Sequence, residues 1–222
     1  SLGESTFDTC LARKKADFGN GIPSIPSNCL KDCDALTSIT LGNKVSEIGS
    51  FAFYRAYHVK TRNLPSTLSS IGEGAFALTD RTLRMDENNE YFVFESGCLR
   101  GKDKKDLYFG NTKAVINHTV NHILPYAFYG NTGLNSLILP DSVETIGESA
   151  FAHSFLSSLV IPSSVRSMDS MAFAECERLT DITYQGTKAE WNQIDFGDSV
   201  FSSIPAENVI CKDFGVDLIE EN

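Results

Sequence analysis

A small residue followed by a large apolar one returns along this chain at a nearly fixed interval. Phe7, Leu30, Phe53, Phe76 and Leu99 stand 23 residues apart; after a step of 29 to Phe128 come Phe151, 23 on, and Phe173, 22 on. Self-similarity with a period in the twenties marks a solenoid, in which each repeat packs against its neighbours and none buries enough to stand alone. Function in such a molecule normally lies on a repeated surface rather than in a catalytic cleft.

The cleanest copies run from Pro140 to Leu159 and from Pro162 to Ile182. Five residues before each anchor stands an apolar residue (Leu2, Ile25, Ile48, Ile71, Ile123, Ile146, Met168), and three earlier comes another (Val45, Leu68, Val120, Val143, Val165). Both read as core positions. After the anchor the chain passes through a polar turn into apolar residues two apart, such as Ile39 with Leu41 and Leu137 with Leu139. That spacing puts both side chains on one face of a short strand. Pro65, Pro140 and Pro162 follow the strand, where a residue without N–H ends the ladder. Gly3, Gly49, Gly72 and Gly147, four before their anchors, suit a backbone position needing positive φ. Ala52, Ala75, Ala127, Ala150 and Ala172 suit a one-turn helix that approaches its neighbour closely. Arg62 falls where other repeats carry Ile39 or Leu137, so a charge at a core position is expected to distort the coil locally.

The phrases "IGSFAF", "IGEGAF", "IGESAF" and "AFAECERLTDI" resemble the BspA-like leucine-rich repeats of bacterial cell-surface proteins, over roughly Leu2 to Tyr184. The resemblance implies an α/β solenoid: a right-handed coil with one short strand per repeat of about 23 residues and short helical or 3-10 turns on the other side. The common Asn or Cys after the strand is replaced by Pro or Gly, so no asparagine ladder is expected. Met85 to Asn121 departs from the repeat; Tyr91, Val93 and the polar run Gly101 to Asp106 read as strand, strand and turn, giving an irregular hairpin-like repeat over about 85–121. From Gln185 the period fails. "GTKAEWNQIDFG" reads as a short helix with Trp191 and Ile194 inward and "ENVICKDF" as a final strand, so residues 185–222 are expected to form a C-terminal capping segment of the 1–184 array. The chain begins inside a repeat, as a piece of a longer protein or a processed form would.

With 19 basic against 29 acidic residues the net charge is -10, which argues against nucleic acid as a partner. No run of 18 apolar residues offers a membrane span. Lys102 to Lys105 is interrupted by Asp103 and reads as a solvated turn. Cys10, Cys33 and Cys176 each stand three residues after an anchor and read as buried thiols. Cys10 and Cys33, on adjacent coils, would bridge if their Cα atoms came within disulfide range.

The sequence carries no G-x-S-x-G, no Gly-rich phosphate loop, no H-E-x-x-H and no C-x-x-C, and no catalytic residue, cofactor or metal site is assigned. His118 and His122 are four apart, but Val120 and Ile123 place them in a repeat rather than a metal-binding helix. "DENNE" at 86–90 lacks calcium-loop spacing and reads as a polar turn, and Asn117-His118-Thr119 is a lone sequon.

The exposed face of the sheet remains. Its outward positions form two ladders, Ser38, Thr61, Ser136, Ser158, Asp181 and beside it Thr40, Asn63, Ile138, Val160, Thr183. Ile138 and Val160 put two β-branched apolar side chains side by side in solvent, the kind of cluster that marks a contact surface, although β-branched residues favour strands whichever way they point. A second candidate is the turn containing Tyr54, Arg55, Tyr57 and His58, since Tyr and Arg are enriched in binding hot spots; packing against the next coil is the competing reading. The family resemblance implies a non-enzymatic, secreted or cell-surface adhesion module that recognises host matrix or other surface proteins through a repeat face. The alternatives are a structural spacer, or the non-catalytic repeat region of a larger secreted protein or enzyme. An incomplete first coil leaves the oligomeric state open.

Overall fold

The computed structural model describes residues 14–59, 62–79, 83–103 and 105–218. Phe7, Cys10, Thr61 and the side chain of Arg62 lie outside that set, and with them the Cys10–Cys33 pairing and the expected distortion at Arg62. The chain forms two compact units, residues 1–103 and 104–222.

The first unit holds β1 (Lys15–Asp17), β2 (Ser24–Ile25), β3 (Ser38–Thr40), β4 (Glu47–Ile48), β5 (Arg62–Leu64), β6 (Ser70–Ile71), β7 (Leu83–Met85), β8 (Phe92–Glu95) and β9 (Cys98–Gly101). The second holds β10 (Asp106–Gly110), β11 (His122–Ile123), β12 (Ser136–Ile138), β13 (Thr145–Ile146), β14 (Ser158–Ile161), β15 (Ser167–Met168), β16 (Asp181–Tyr184), the helix α1 (Lys188–Trp191), β17 (Asp195–Phe196), β18 (Asn208–Ile210) and β19 (Gly215–Asp217). Each regular coil therefore contributes two strands, not the expected one. The additional strand carries the apolar residue five before the anchor, as in Ile25, Ile48 and Ile71, which are paired in parallel through β2, β4 and β6. In the second unit β11, β13, β15 and β17 pair likewise, and β12, β14, β16 and β18 form a second parallel sheet closed by antiparallel β19.

The anchors form the centre of each unit. Phe53 stacks on Phe76, and Phe128, Phe151, Phe173 and Phe201 form a continuous column with neighbouring centroids 4.9, 5.0 and 5.5 Å apart and planes within 7° of parallel. Apart from the terminal Phe201, which is half-buried, these rings are buried. Burial contributes about 1.5–3 kcal/mol per side chain, with about 0.5–1.5 kcal/mol more from each ring pair. Phe201 extends the repeat past Gln185, where the period was expected to end. It stands 28 residues after Phe173, with Phe196 five before it on β17 and Gly197 four before it, so the insertion of α1 lengthens the coil without abolishing it.

Around the anchors the expected one-turn helix is replaced by a hydrogen-bonded turn, and α1 is the one helix among the described residues. The N–H groups of Phe51, Phe53 and Arg55 donate to the carbonyls of Glu73, Ala75 and Ala77 in the next coil, while those of Ala52, Tyr54 and Ala56 donate three residues back within their own. The same alternation recurs at Ser149 to Ser154 and Met171 to Ala174. Pointing every second N–H across to the neighbour puts the residues two before and two after the anchor in the left-handed region: Phe51 and Arg55, Ser149 and His153, Met171 and Glu175. Non-glycine residues disfavour this region by about 1–2 kcal/mol, so the conformation rests on the inter-coil bonds.

Positive φ is thus not the reason for glycine four before the anchor. A Cβ on Gly49 would lie 2.5 Å from the Ser27 nitrogen, and one on Gly147 would lie 2.7 Å from the Pro125 nitrogen. Glycine stands there because adjacent backbones come too close for a side chain.

The irregular segment is a hairpin, as its alternation predicts, with β8 antiparallel to β9. The reversal is at Ser96-Gly97, both with φ near or above +50°, rather than at Gly101 to Asp106. Its entry is held by Asn89, which is fully buried. The Asn89 amide nitrogen donates to the carbonyls of Pro65, Ser66 and Leu68, and its oxygen accepts from the N–H groups of Tyr91 and Phe92. Asn131 does the same work in the second unit, donating to Gly110 and accepting from Gly133 and Leu134. Within the polar turn "DENNE", one residue therefore belongs to the core. Within the hairpin, Arg100 on β9 is 2% exposed and pairs with Glu95 at 2.8 Å.

Candidate functional site

The outward side chains of the second unit's five-stranded sheet are set by strand alternation: Leu137, Leu159, Ile182 and Val209 point into the core, and their neighbours point out. Parallel register then places Ser136 beside Ser158 beside Asp181, and Ile138 beside Val160 beside Thr183 beside Ile210. The structure brings together five of the residues singled out in the sequence: Ser136, Ile138, Ser158, Val160 and Thr183. Ile138 is 68% exposed, but Val160 is only half-buried to half-exposed, because Ile138 and Thr183 shield it from both sides. The Ser136 and Ser158 hydroxyls are 2.7 Å apart and hydrogen-bonded, and Asp181 accepts from the Thr180 hydroxyl at 2.6 Å.

Ile210, 58% exposed, completes this row and was missed in the sequence, as was Phe214, 71% exposed in the turn after it. The signal for Ile210 is the alternation of "NVI" behind the buried Val209, displaced from the 23-residue register by the α1 insertion. Val115, 66% exposed, stands 23 residues before Ile138 but falls in the stretch read as irregular.

Thr40 on β3 and Asn63 on β5 belong to the first unit and are exposed there as expected. Tyr54, Arg55 and Tyr57 form a compact cluster in a turn of the same unit. Arg55 Nε donates to the Tyr57 hydroxyl at 3.2 Å, the guanidinium lies 5.9 Å from the Tyr57 ring centroid, and it pairs with Asp32 of the preceding coil at 3.2 Å. Lys31 of that coil sits 5.7 Å from the Tyr54 ring, and Phe51 meets Tyr54 edge-on. The Tyr57 hydroxyl bond is the foremost reason that the Arg55 pKa lies above its ordinary value. Arg55 thus ties the cluster to the preceding coil and to Tyr57, while Tyr57 remains 39% exposed.

No arrangement resembling a metal centre occurs among the described residues. His122 Nδ1 lies 3.0 Å from the Thr145 hydroxyl on the next strand, and His118 is exposed. Cys29, Cys33, Cys98, Cys176 and Cys211 are all buried. The Cys176 thiol donates to the Phe151 carbonyl at 3.2 Å, and burial raises its pKa. At the end of the second unit, Trp191 packs on Tyr184, Phe196 and Phe201 beside a cleft of about 280 Å³ lined also by Val200, Ile204 and Leu218. No helix among the described residues is long and apolar enough to cross a membrane.

Several solved structures share this fold. The pneumococcal vaccine antigen PcpA superposes with a TM-score of 0.79 at 20% identity, over 89% of this chain and 50% of that one. A leucine-rich cell-surface protein of Faecalibacterium prausnitzii gives 0.55 at 20% identity over 86% of this chain and 65% of its own. A leucine-rich repeat protein of Bacteroides ovatus gives 0.54 at 20% identity over 94% and 58%. The chain thus spans half to two-thirds of the length of these relatives. No curated protein sequence matches it. The family model described as "BspA type Leucine rich repeat region (6 copies)" matches residues 1–104 and 105–221. With that model matching nearly the whole chain and the regular coils repeating in its register, the chain belongs to the BspA-type leucine-rich repeat family.

Proposed function

We propose that this chain is a non-enzymatic recognition module of a bacterial surface or secreted protein, which binds host matrix or other surface proteins through the outward sheet face of its second unit. The observation that carries the reading is the row Ile138, Val160, Thr183, Ile210, in which exposed Ile138 and Ile210 and half-buried Val160 stand in register with Thr183 between Val160 and Ile210. A monomer that binds nothing there gains no stability from Ile138 at 68% exposure, whereas contiguous exposed apolar groups edged by polar ones are a feature of contact surfaces. That the Faecalibacterium prausnitzii relative is a cell-surface protein supports the location. The polar outward positions Ser38, Thr40 and Asn63 favour the spacer reading for the first unit.

The test is binding of the purified chain to a panel of matrix glycoproteins and bacterial surfaces, beside a folded Ile138→Glu, Val160→Glu variant. Loss in the variant is the expected result. Binding retained by the variant transfers recognition to the turns, and no binding by either protein leaves the spacer as the function.

A further inference from the structure

The main-chain ladder that joins the coils runs in one direction, and at the last coil of the second unit its donors go unanswered. In each regular coil followed by another, the N–H groups two before the anchor, at the anchor and two after it donate to three carbonyls of the next coil. Met171, Phe173 and Glu175 reach Asp198, Val200 and Ser202 in this way, at 2.9 Å each. The corresponding donors of the last coil are Ser199, Phe201 and Ser203. Among the described residues none of these three N–H groups has a hydrogen-bond partner, although Ser199 and Ser203 hold the same left-handed conformation, with φ +56°.

The path of the chain beyond Ser203 explains why. Instead of laying down another coil it returns to the sheet: the Ala206 N–H donates to the Leu179 carbonyl, β18 pairs with β16, and β19 folds back antiparallel on β18. This closure caps the strand side of the unit and leaves its turn side open. There the half-buried ring of Phe201 ends the aromatic column beside the cleft of about 280 Å³ that Trp191, Val200, Ile204 and Leu218 also line. A second cleft, of about 310 Å³, shares Phe196 and Gly197 with the first and is lined by the exposed acids Glu148, Asp169 and Asp195. No lysine or arginine among the described residues lines either cleft.

The donors set what fits. Three N–H groups spaced two residues apart are answered in every earlier case by three separate carbonyls, so one small anion cannot satisfy them, whereas a polypeptide main chain can. A covering coil also brings its own ring onto the one beneath it, as Phe201 does on Phe173 at 5.5 Å. In the same register the residues six before each anchor are neighbours, as Asp195 is of Ser167. A segment seated on the last coil in that register therefore sets its own residue at this position beside Asp195. The surrounding carboxylates favour lysine or arginine there and disfavour an acidic stretch such as Glu220-Glu221 near the end of this chain.

We propose that the open turn side of the last coil seats a segment of a second protein in which an aromatic residue is preceded by a basic one. Its carbonyls accept from Ser199, Phe201 and Ser203, its ring covers Phe201 in the apolar cleft, and its lysine or arginine enters the cleft of Glu148, Asp169 and Asp195. This site is separate from the outward sheet face and does not depend on it.

The probe is a synthetic peptide copying Val143 to Ser154 of a regular coil with Glu144→Lys, Thr145→Lys and Glu148→Ser, which places lysine six residues before its phenylalanine. Its controls are the same peptide with Phe151→Ala, the unsubstituted acidic peptide, and a scrambled one. Binding to the full chain is followed by the fluorescence of Trp191, the only tryptophan, and by amide hydrogen exchange. In the free chain the Ser199, Phe201 and Ser203 amides should exchange fast beside protected Met171, Phe173 and Glu175, and the peptide should bind saturably and protect all three. Affinity should fall at least tenfold for the Phe151→Ala peptide and for the Ile204→Glu protein. It should fall several-fold for the lysine peptide on the Asp195→Asn protein and stay unchanged on the Ile138→Glu, Val160→Glu protein. The Asp195→Asn and peptide comparisons keep the test decisive if Ile204→Glu disturbs the fold. No binding, equal binding by the scrambled peptide, or protection confined to other amides overturns the proposal. So does slow exchange of the three amides in the free chain, which would mean that the chain itself covers them.

Discussion

Phe151 lies face to face with Phe173 in the next coil, ring centroids 5.0 Å apart and planes 3° from parallel, with Phe128 stacked at 4.9 Å on its other side. Replacing this central ring with alanine opens a cavity between two rings that the flanking backbones hold apart. Phe151→Ala is expected to lower stability by about 3–5 kcal/mol, read as a fall in the urea midpoint. Because neighbouring coils share the column, amide protection should fall on both sides of the substitution. A loss confined to the coil of Phe151 would show that the coils unfold independently.

Asn89 ties the hairpin to the coil before it with five hydrogen bonds. Asn89→Ala leaves buried carbonyls and amides without their partner, at about 1–3 kcal/mol for a group that water does not reach. Stability is expected to fall by at least about 3 kcal/mol on that scale, with fast hydrogen exchange at Tyr91 and Phe92. The neighbouring Asn88→Ala, which removes an exposed turn contact to Asp86, should change stability by less than about 0.5 kcal/mol.

Glu175 is exposed and holds φ +57° so that its N–H can reach the Ser202 carbonyl. Glycine adopts that conformation freely. Glu175→Gly is therefore expected to be neutral to stabilising by up to about 1 kcal/mol, whereas Glu175→Val, β-branched in the left-handed region, should destabilise by about 1 kcal/mol or more. Paired denaturation curves test this; a destabilising glycine would mean that the turn is not strained.

The Glu190 carboxylate accepts from the Thr187 N–H at 2.7 Å within a capping box, and these bonds, led by the backbone one, hold its pKa below the ordinary value. A depressed folded-state pKa stabilises the fold above the unfolded pKa, and that contribution is lost as pH falls through the folded value. The Thr187 amide signal is thus expected to titrate below the ordinary glutamate range and α1 to fray there, with no change near neutral pH from this group. In Glu190→Gln that acid transition should vanish.

The Phe column as far as Phe173 was legible in the sequence because its step of 22 or 23 residues recurs at residues whose size and apolarity leave little choice of location. The second strand of each coil was not: Glu47–Ile48 or Thr145–Ile146 is two residues long, too short to show alternation, so Ile48 and Ile146 revealed burial but not pairing. The turns were misread as helical because no residue type marks them. Phe51, Tyr126 and Met171 take positive φ for the sake of bonds to another coil, and a tertiary cause leaves no local signature. Asn89 looked like its polar neighbours because the atoms it satisfies lie more than 20 residues away. Of the candidate surface, Ile138 and Val160 followed from alternation alone. Ile210 was hidden by the α1 insertion, and the bonds of Arg55 to Asp32 and Tyr57 required coordinates.

The inter-coil ladder is made of main-chain atoms, and most positions two before and two after the anchors stand at least partly in solvent: Phe51, Tyr126, Met171 and Ser199 on one side, Asp32, Arg55, Leu78, Gly130, His153, Glu175 and Ser203 on the other, while Gly74 and Ser149 are buried. That variety, from glycine to phenylalanine and from aspartate to arginine, is what a scaffold indifferent to those side chains permits. On such a frame the chemistry of the surface can be exchanged one position at a time while the main-chain ladder beneath stays as it is.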